Sequence, residues 1–288
     1  MDDAYLSLDL GRVTALPSYG YVDTQTGEVQ FLGTDLGRTL TQRRRNVTLE
    51  TLWRLTPKTH FVLLGDQEWT RFPKADRRDS DSNRIAGGFQ ITSETRLSGR
   101  VVGGVRLFRP VAAPGRRQEA KPYADASLDW RLGTKTSFGA RYRYDTTYSA
   151  FDTIDEQLPL MVSQEASVSF TRRILRRFSL ELEGGIRTIR NEGQIVVTEP
   201  VERTLQRDDR FYMARADLGF FIFESLRLGV VATYNERQSN FADFGVDGLL
   251  VGASLRFNPR ASGSSARSPR APRGGSAAAG GSSVVNRR

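Results

Sequence analysis

The sequence predicts an all-β fold: a transmembrane antiparallel β-barrel of 12–14 strands in an up-and-down meander, with short periplasmic turns and longer extracellular loops. Three observations lead there. Apolar and polar residues alternate with a period of two in segment after segment, as in strands with unlike faces. The connections alternate between short turns and long polar loops. Aromatic side chains gather near both strand ends on the apolar parity, where two lipid–water interfaces would lie.

Taken in order, residues 4–13 set Leu6, Leu8 and Leu10 against Ser7 and Asp9, and a short piece follows near 18–23. An upward strand is expected near 28–39. In 46–55, Val47, Leu49, Trp53 and Leu55 alternate with Thr48, Glu50 and Arg54. Residues 84–92 and 97–108 fit more loosely because Gly occupies several outward positions. In 122–132, Ala124, Ala126, Leu128, Trp130 and Leu132 oppose Asp125, Ser127, Asp129 and Arg131. In 136–145, Phe138, Ala140, Tyr142 and Tyr144 oppose Gly139, Arg141, Arg143 and Asp145. The same pattern runs through 163–174, 178–188, 211–221, 226–237 and 247–257. Residues 46–257 therefore hold eleven strands, and the front of the chain raises the total to twelve or fourteen.

Short turns fall at 56–59, 93–95, 133–135, 175–177 and 223–225, and longer polar loops near 73–83, 109–121, 146–163, 190–209 and 238–246. Each interval between short turns thus holds two strands of roughly ten residues, the length of a tilted membrane crossing. Trp53, Phe61, Trp130, Phe138, Phe170, Phe178, Phe220 and Phe257 sit near the short-turn ends. Trp69, Tyr144, Tyr212 and Tyr234 sit near the loop ends. The barrel domain is expected over 1–257. Residues 258–288, rich in Ser, Gly, Ala, Pro and Arg, read as a disordered basic tail.

Composition narrows the functional classes. No run approaches 18 apolar residues, which excludes a transmembrane helix. A mean hydropathy of -0.44 leaves a barrel open, since its two faces average out. The absence of Cys removes thiolate catalysis, disulfides and Cys-ligated metals, and a single His, His60, removes multi-His sites. No cofactor is expected. Of the net charge of +9, the tail carries six Arg and no acid, so no specific nucleic-acid partner is expected. The opening Met1-Asp2-Asp3-Ala4 lacks a basic segment followed by an apolar run, so no signal peptide is legible.

The run Arg78-Asp79-Ser80-Asp81-Ser82-Asn83-Arg84, then Leu97-Ser98-Gly99-Arg100 and Gly104-Val105-Arg106-Leu107-Phe108-Arg109-Pro110, resembles the putative β-barrel porin family of bacterial outer membranes. Gly37-Arg38-Thr39-Leu40-Thr41 resembles it too. The resemblance implies an outer-membrane barrel that accompanies exopolysaccharide or capsule systems, and it implies no catalytic residue. It also implies outer-membrane lipid, lipopolysaccharide, the barrel-assembly machinery and a polysaccharide as partners. Such barrels usually end on an aromatic strand read by that machinery, whereas here residues 258–288 follow Phe257.

Candidate chemistry is sparse. His60, directly after a short turn, is the sole seed for a hydrolase and reads as structural. Asp79-Ser80-Asp81-Ser82-Asn83 mimics the start of a calcium loop, but Arg84 stands where Gly is needed and Gln90 where Glu is needed, so it reads as a solvated loop. Gly33-Thr34-Asp35-Leu36-Gly37 has no following Lys and is not a phosphate loop. Asn46-Val47-Thr48 fits a glycosylation pattern without meaning in this context. Arg43-Arg44-Arg45 reads as a solvated loop, with lipopolysaccharide phosphates as the alternative reading.

The inward parity is richer. The lumen-lining candidates are Arg54, Arg100, Arg106, Asp125, Asp129, Arg131, Arg141, Arg143, Asp145, Glu181, Glu183, Arg187, Arg215, Asp217 and Arg227, joined by Glu50, Asp66, Glu68, Arg84, Glu165, Arg173 and Arg256. Near-balance of the two signs predicts cross-strand ion pairs around a wet, narrow interior. The functional expectation is a porin-like channel rather than an enzyme. A non-conducting structural or adhesive barrel, or an outer-membrane hydrolase, are the alternatives.

Overall fold

The computed structural model describes residues 2–257, apart from 26, 28–29, 32–33, 36–40, 75–78, 93–95, 112–117, 149–159, 176, 193–194, 198–202, 206, 224 and 241–244. The tail, the turn at 93–95, the centre of the loop at 146–163 and most of the Gly33–Gly37 and Gly37–Thr41 runs lie outside these residues.

All described elements are strands. The front holds β1 (Asp2–Tyr5), β2 (Leu8–Asp9), β3 (Val13–Thr24), β4 (Gln30–Phe31) and β5 (Thr34–Asp35). Then come β6 (Gln42–Arg54), β7 (Thr59–Arg71), β8 (Ser80–Ile91), β9 (Leu97–Pro110), β10 (Glu119–Leu132), β11 (Thr136–Tyr148), β12 (Leu160–Ile174) and β13 (Phe178–Glu192). The rest is β14 (Ile195–Val197), β15 (Arg203–Leu205), β16 (Asp208–Phe223), β17 (Leu226–Ser239) and β18 (Val246–Phe257). One antiparallel sheet of fourteen strands runs β1-β3-β6-β7-β8-β9-β10-β11-β12-β13-β16-β17-β18, with β2 also on β3. β1 and β2 keep one register on β3, so they are two pieces of one interrupted strand. The remaining pairs, β4–β5 and β14–β15, are small ribbons within loops.

The eleven strands expected over 46–257 are all present. The strand expected near 28–39 is not in the main sheet: β6 pairs with β3, and the described part of that stretch, β4 and β5, pairs only with itself. Short-turn ends fall where alternation stops, whereas loop ends extend further, to Tyr148 on β11 and from Leu160 on β12. Ladder hydrogen bonds continue past the point where the outward face ceases to be apolar. Alternation therefore marks the membrane crossing and not the whole strand.

The register slides steadily. Crossing the ladders from Ala15 leads through Thr51, Leu63, Gly87, Gly103, Ala124, Tyr144, Gln164, Thr188 and Arg210 to Gln238. That row starts near the turn end of β3 and finishes near the loop end of β17, about one residue per strand. With ~3.3 Å rise and ~4.8 Å spacing this is a tilt of about 35°, the slant that barrel strands adopt.

Side-chain contacts show which face is concave. Arg100 on β9 grips Glu50 on β6 at 2.7 and 2.8 Å, although β7 and β8 lie between them. On a flat sheet those strands would be about 14 Å apart, so this face must curl inward. Burial agrees: Val62, Asp66, Arg106 and Asp217 on this parity are buried, while Leu49, Ile85, Val105 and Val230 on the other are exposed. Apolar outside and polar inside is the inverse of a water-soluble core and suits a lipid surround. The curl is tight at β8–β9. A Cβ on Gly88 would strike the Val101 carbonyl, and one on Gly104 the Ile85 carbonyl, so only Gly permits this approach.

Candidate pore-lining site

The concave face carries two ion-pair hubs, one apolar cluster and one open wall. The first hub centres on Arg106. Its guanidinium lies 3.1 Å from Glu68 and 3.3 Å from Asp145, donates to Ser82 Oγ and to the Thr146 carbonyl, and covers the Phe108 ring at 5.2 Å. Arg143 donates to Asp145 at 2.9 Å. Arg84 sits 3.6 Å from Asp66 and 4.6 Å from the centre of the Tyr123 ring. Five strands, β7 to β11, are thus tied together through groups that alternation alone aims inward. Such a hub holds only while complete, because removing one partner leaves a buried charge uncompensated.

The second hub centres on Arg227 and Asp217 at the short-turn ends of β13, β16, β17 and β18. Arg227 meets Asp217 at 2.6 and 3.2 Å and donates to Ser179 Oγ at 2.8 Å. Arg256 joins Asp217 at 3.3 Å and Glu181 at 3.2 Å. The guanidinium of Arg227 lies flat on Gly219, where a Cβ would collide with it. Glycine here makes the floor on which the cation rests.

Between the Arg100–Glu50 pair and the Arg106 hub, Val62, Leu64, Ala86, Val102 and Tyr123 pack into a buried cluster flanked by Leu52. This cluster is absent from the sequence-based candidates. Its signal was legible in Phe61-Val62-Leu63-Leu64, which is apolar on both parities and so needs partners on both faces.

The opposite wall is different. Asp125, Arg143, Glu165 and Arg187 stand directly across from one another on β10 to β13. A second row sets Asp129, Gly139, Ser169, Glu183 and Arg215 side by side. Asp129, Arg141, Glu165, Glu183 and Arg215 are exposed. Asp125, Asp129, Arg141, Glu165 and Glu183 form no ion pair with another described residue. Arg187 donates to Ser163 Oγ at 3.2 Å, and Arg215 reaches Asp217 only at 4.0 Å. The side chains between them are small, Ser127, Ser137, Ser167 and Gly185, and leave the charges open to water.

All the sequence-based candidates lie on the inward parity, but they divide. Arg106, Asp145, Asp217 and Arg227 are sealed in the hubs, at 5%, 8%, 1% and 4% exposure. Arg100 is half sealed by Glu50, Arg54 donates to the Gly11 carbonyl, and Arg131 is exposed near the turn end. Arg173 lies 4.7 Å from the centre of the Phe221 ring. Two expectations are corrected. Ser80–Asn83 and Arg43–Arg45 are not loops but parts of β8 and β6. Ser82 turns inward to accept from Arg106, and Asp81 pairs with Arg71 at 2.8 Å. Clusters of charge conceal strand periodicity when both faces are polar, as they are above the membrane. His60 lies on β7 opposite Arg54, and its Nδ1 has no hydrogen-bond partner among the described residues.

Lipid-facing aromatics complete the picture. Phe61 and Phe89 meet edge to face with centroids 5.6 Å apart, and Phe178 and Phe220 lie 5.1 Å apart, at the short-turn end of the outer face. A curled antiparallel meander with an apolar outer band, aromatic rims and a charged interior defines an outer-membrane β-barrel. The chain belongs to the family described as "Putative beta-barrel porin 2", which matches residues 35–258, and membership indicates an outer-membrane location. Among solved structures, the FrpB iron transporter of Neisseria meningitidis is similar at a TM-score of 0.52 and 11% identity, over 90% of this chain and 48% of that one. The chain therefore spans about half the length of that relative. The NanC porin has a TM-score of 0.39 at 11% identity, over 75% of this chain and 94% of that one. LpxR of Salmonella typhimurium has 0.28 at 11% identity, over 74% and 88%. A search of curated proteins finds no match.

Proposed function

We propose that this barrel is a narrow, weakly selective channel whose aqueous path follows the β10–β16 wall. The observation that carries the reading is the set of exposed charges there that pair with no other described residue, Asp129, Arg141, Glu165 and Glu183, in contrast to the packed cluster of Val62, Leu64, Ala86, Val102 and Tyr123. Charges left without partners on an inward face are stable only when hydrated, so water must reach this wall. Over the whole wall Asp125, Asp129, Glu165 and Glu183 stand against Arg141, Arg143, Arg187 and Arg215, so little net field remains, which favours small conductance with weak selectivity. Hydroxyls at Ser127, Ser167 and Ser169, set among carboxylates and guanidinium groups, suit the hydroxyl-rich surface of a polysaccharide, the cargo that the family resemblance implies. No catalytic role is proposed.

Planar-bilayer recording of the reconstituted barrel tests this. Small single-channel steps are expected, and Arg141→Glu should shift selectivity toward cations, since that guanidinium pairs with no described carboxylate that would mask it. Arg143→Gln should shift it less, because Asp145 keeps Arg106 and Arg84 nearby. The second reading, a non-conducting structural barrel, is favoured by the packing at the loop end, where Phe108 and Leu160 are fully buried. A correctly folded barrel that stays silent, even after removal of residues 149–159, would establish that second reading.

A further inference from the structure

The outer face of β3, β6, β7, β8 and β9 changes character with height, and the change can be read row by row. At the short-turn end, Val13, Trp53, Phe61, Phe89 and Val101 face outward side by side. Higher up, Pro17, Leu49, Gly65, Ile85 and Val105 form an apolar row, followed by Tyr19, Val47, Gln67, Asn83 and Leu107. Above these, Tyr21, Arg45, Trp69, Asp81 and Arg109 stand together, and Asp23, Arg43 and Arg71 form the last row. Hydrocarbon, amphipathic rings and then cations succeed one another on a single surface.

The spacing matches a membrane. Arg43 and Trp53 lie ten residues apart on β6. At ~3.3 Å per residue and a tilt of about 35° that is about 27 Å of height, close to the depth of a barrel's apolar band. The cations are therefore level with the phosphates of the leaflet on the loop side, which in this architecture is the outer one. Two of them already have acidic neighbours: Arg43 lies 3.4 Å from Asp23, and Arg71 lies 2.8 Å from Asp81 and 3.8 Å from Asp79. Arg45 and Arg109 are exposed and make no ion pair with a described residue, and Arg45 stands 5.7 Å from the centre of the Tyr21 ring.

We propose that the outward face of β3–β9 at its loop end is a docking surface for a phosphorylated glycolipid of the outer leaflet. Arg45 and Arg109 would take its phosphates, the Tyr19, Tyr21 and Trp69 rings would lie against its sugar, and the apolar rows below would receive its acyl chains. A guanidinium group binds phosphate through paired donors, which favours it over a generic cation. The proposal rests on the membrane orientation of the barrel and not on its conducting a solute.

The test uses the full chain, folded in detergent and mixed in turn with three probes: bisphosphorylated lipid A, the same lipid A with both phosphates removed, and phosphatidylglycerol. Native mass spectrometry counts the lipid retained. Retention of the phosphorylated glycolipid well above both others is expected. The double substitution Arg45→Gln with Arg109→Gln should lower it roughly tenfold or more, whereas Arg172→Gln at the opposite rim should leave it unchanged. Equal retention of the dephosphorylated form would overturn the proposal. Equal retention of phosphatidylglycerol would reduce the surface to a general anionic attraction and overturn it as well. An unchanged double variant, shown by heat-modifiable migration to be folded, would do the same.

Discussion

The two walls of the interior solve the same problem in opposite ways. On β6–β10, Val62, Leu64, Ala86, Val102 and Tyr123 exclude water, and the charges around them, Arg100 with Glu50 and Arg106 with Glu68 and Asp145, are fully engaged. On β11–β16, Arg141, Glu165, Glu183 and Arg215 stand among Ser and Gly and keep their hydration. An inward-facing charge can be accommodated by a partner or by water. The first choice ties strands together and leaves little room for solute. The second leaves a path and contributes little to stability, because exposed pairs are worth at most ~1 kcal/mol.

The difference can be broken experimentally, and the largest effect is expected at Arg106. Arg106→Met should leave Glu68 and Asp145 buried without their shared cation and destabilise the barrel by about 3–5 kcal/mol in urea unfolding from vesicles. Arg141→Met, on the open wall, should change the same midpoint hardly at all. Equal losses would mean that both walls are packed and that no open path exists.

Next comes the apolar cluster. Leu64→Ala removes buried volume from the packed wall and should cost about 2–4 kcal/mol by the same measurement. Parity across the sheet should then decide the response to added charge. Leu128→Arg or Val230→Arg, facing lipid, should cost roughly 2–4 kcal/mol in folding into bilayers, whereas Ser127→Arg or Val231→Arg should be tolerated far better. Equal damage at both parities would point to a sheet buried on both faces.

The smallest effect is expected at the hub floor and is geometric. Gly219→Ala places a methyl where the Arg227 guanidinium lies, so Arg227 must lift away from Ser179 and Asp217. A loss of about 1–3 kcal/mol is expected, consistent with one buried polar group losing its partner. The matched control, Gly252→Ala on β18, meets nothing and should be neutral.

Alternation in the sequence determined the class of fold, the eleven strands over 46–257, the short-turn ends and the inward parity of every candidate charge. A period of two is a local property of the chain, and one buried or lipid-facing side is enough to print it on the sequence. What the sequence did not reveal lies between strands. The pairing of β6 with β3 rather than with residues 28–39, and the strand character of Ser80–Asn83 and Arg43–Arg45, depend on ladders and not on composition. Only the curl of the sheet decided which inward charges meet. Arg100 finds Glu50 across two intervening strands, whereas Arg141, with Asp129 and Glu165 only diagonal to it, makes no ion pair with a described residue, because curvature and register are sums over many strands that no single segment carries.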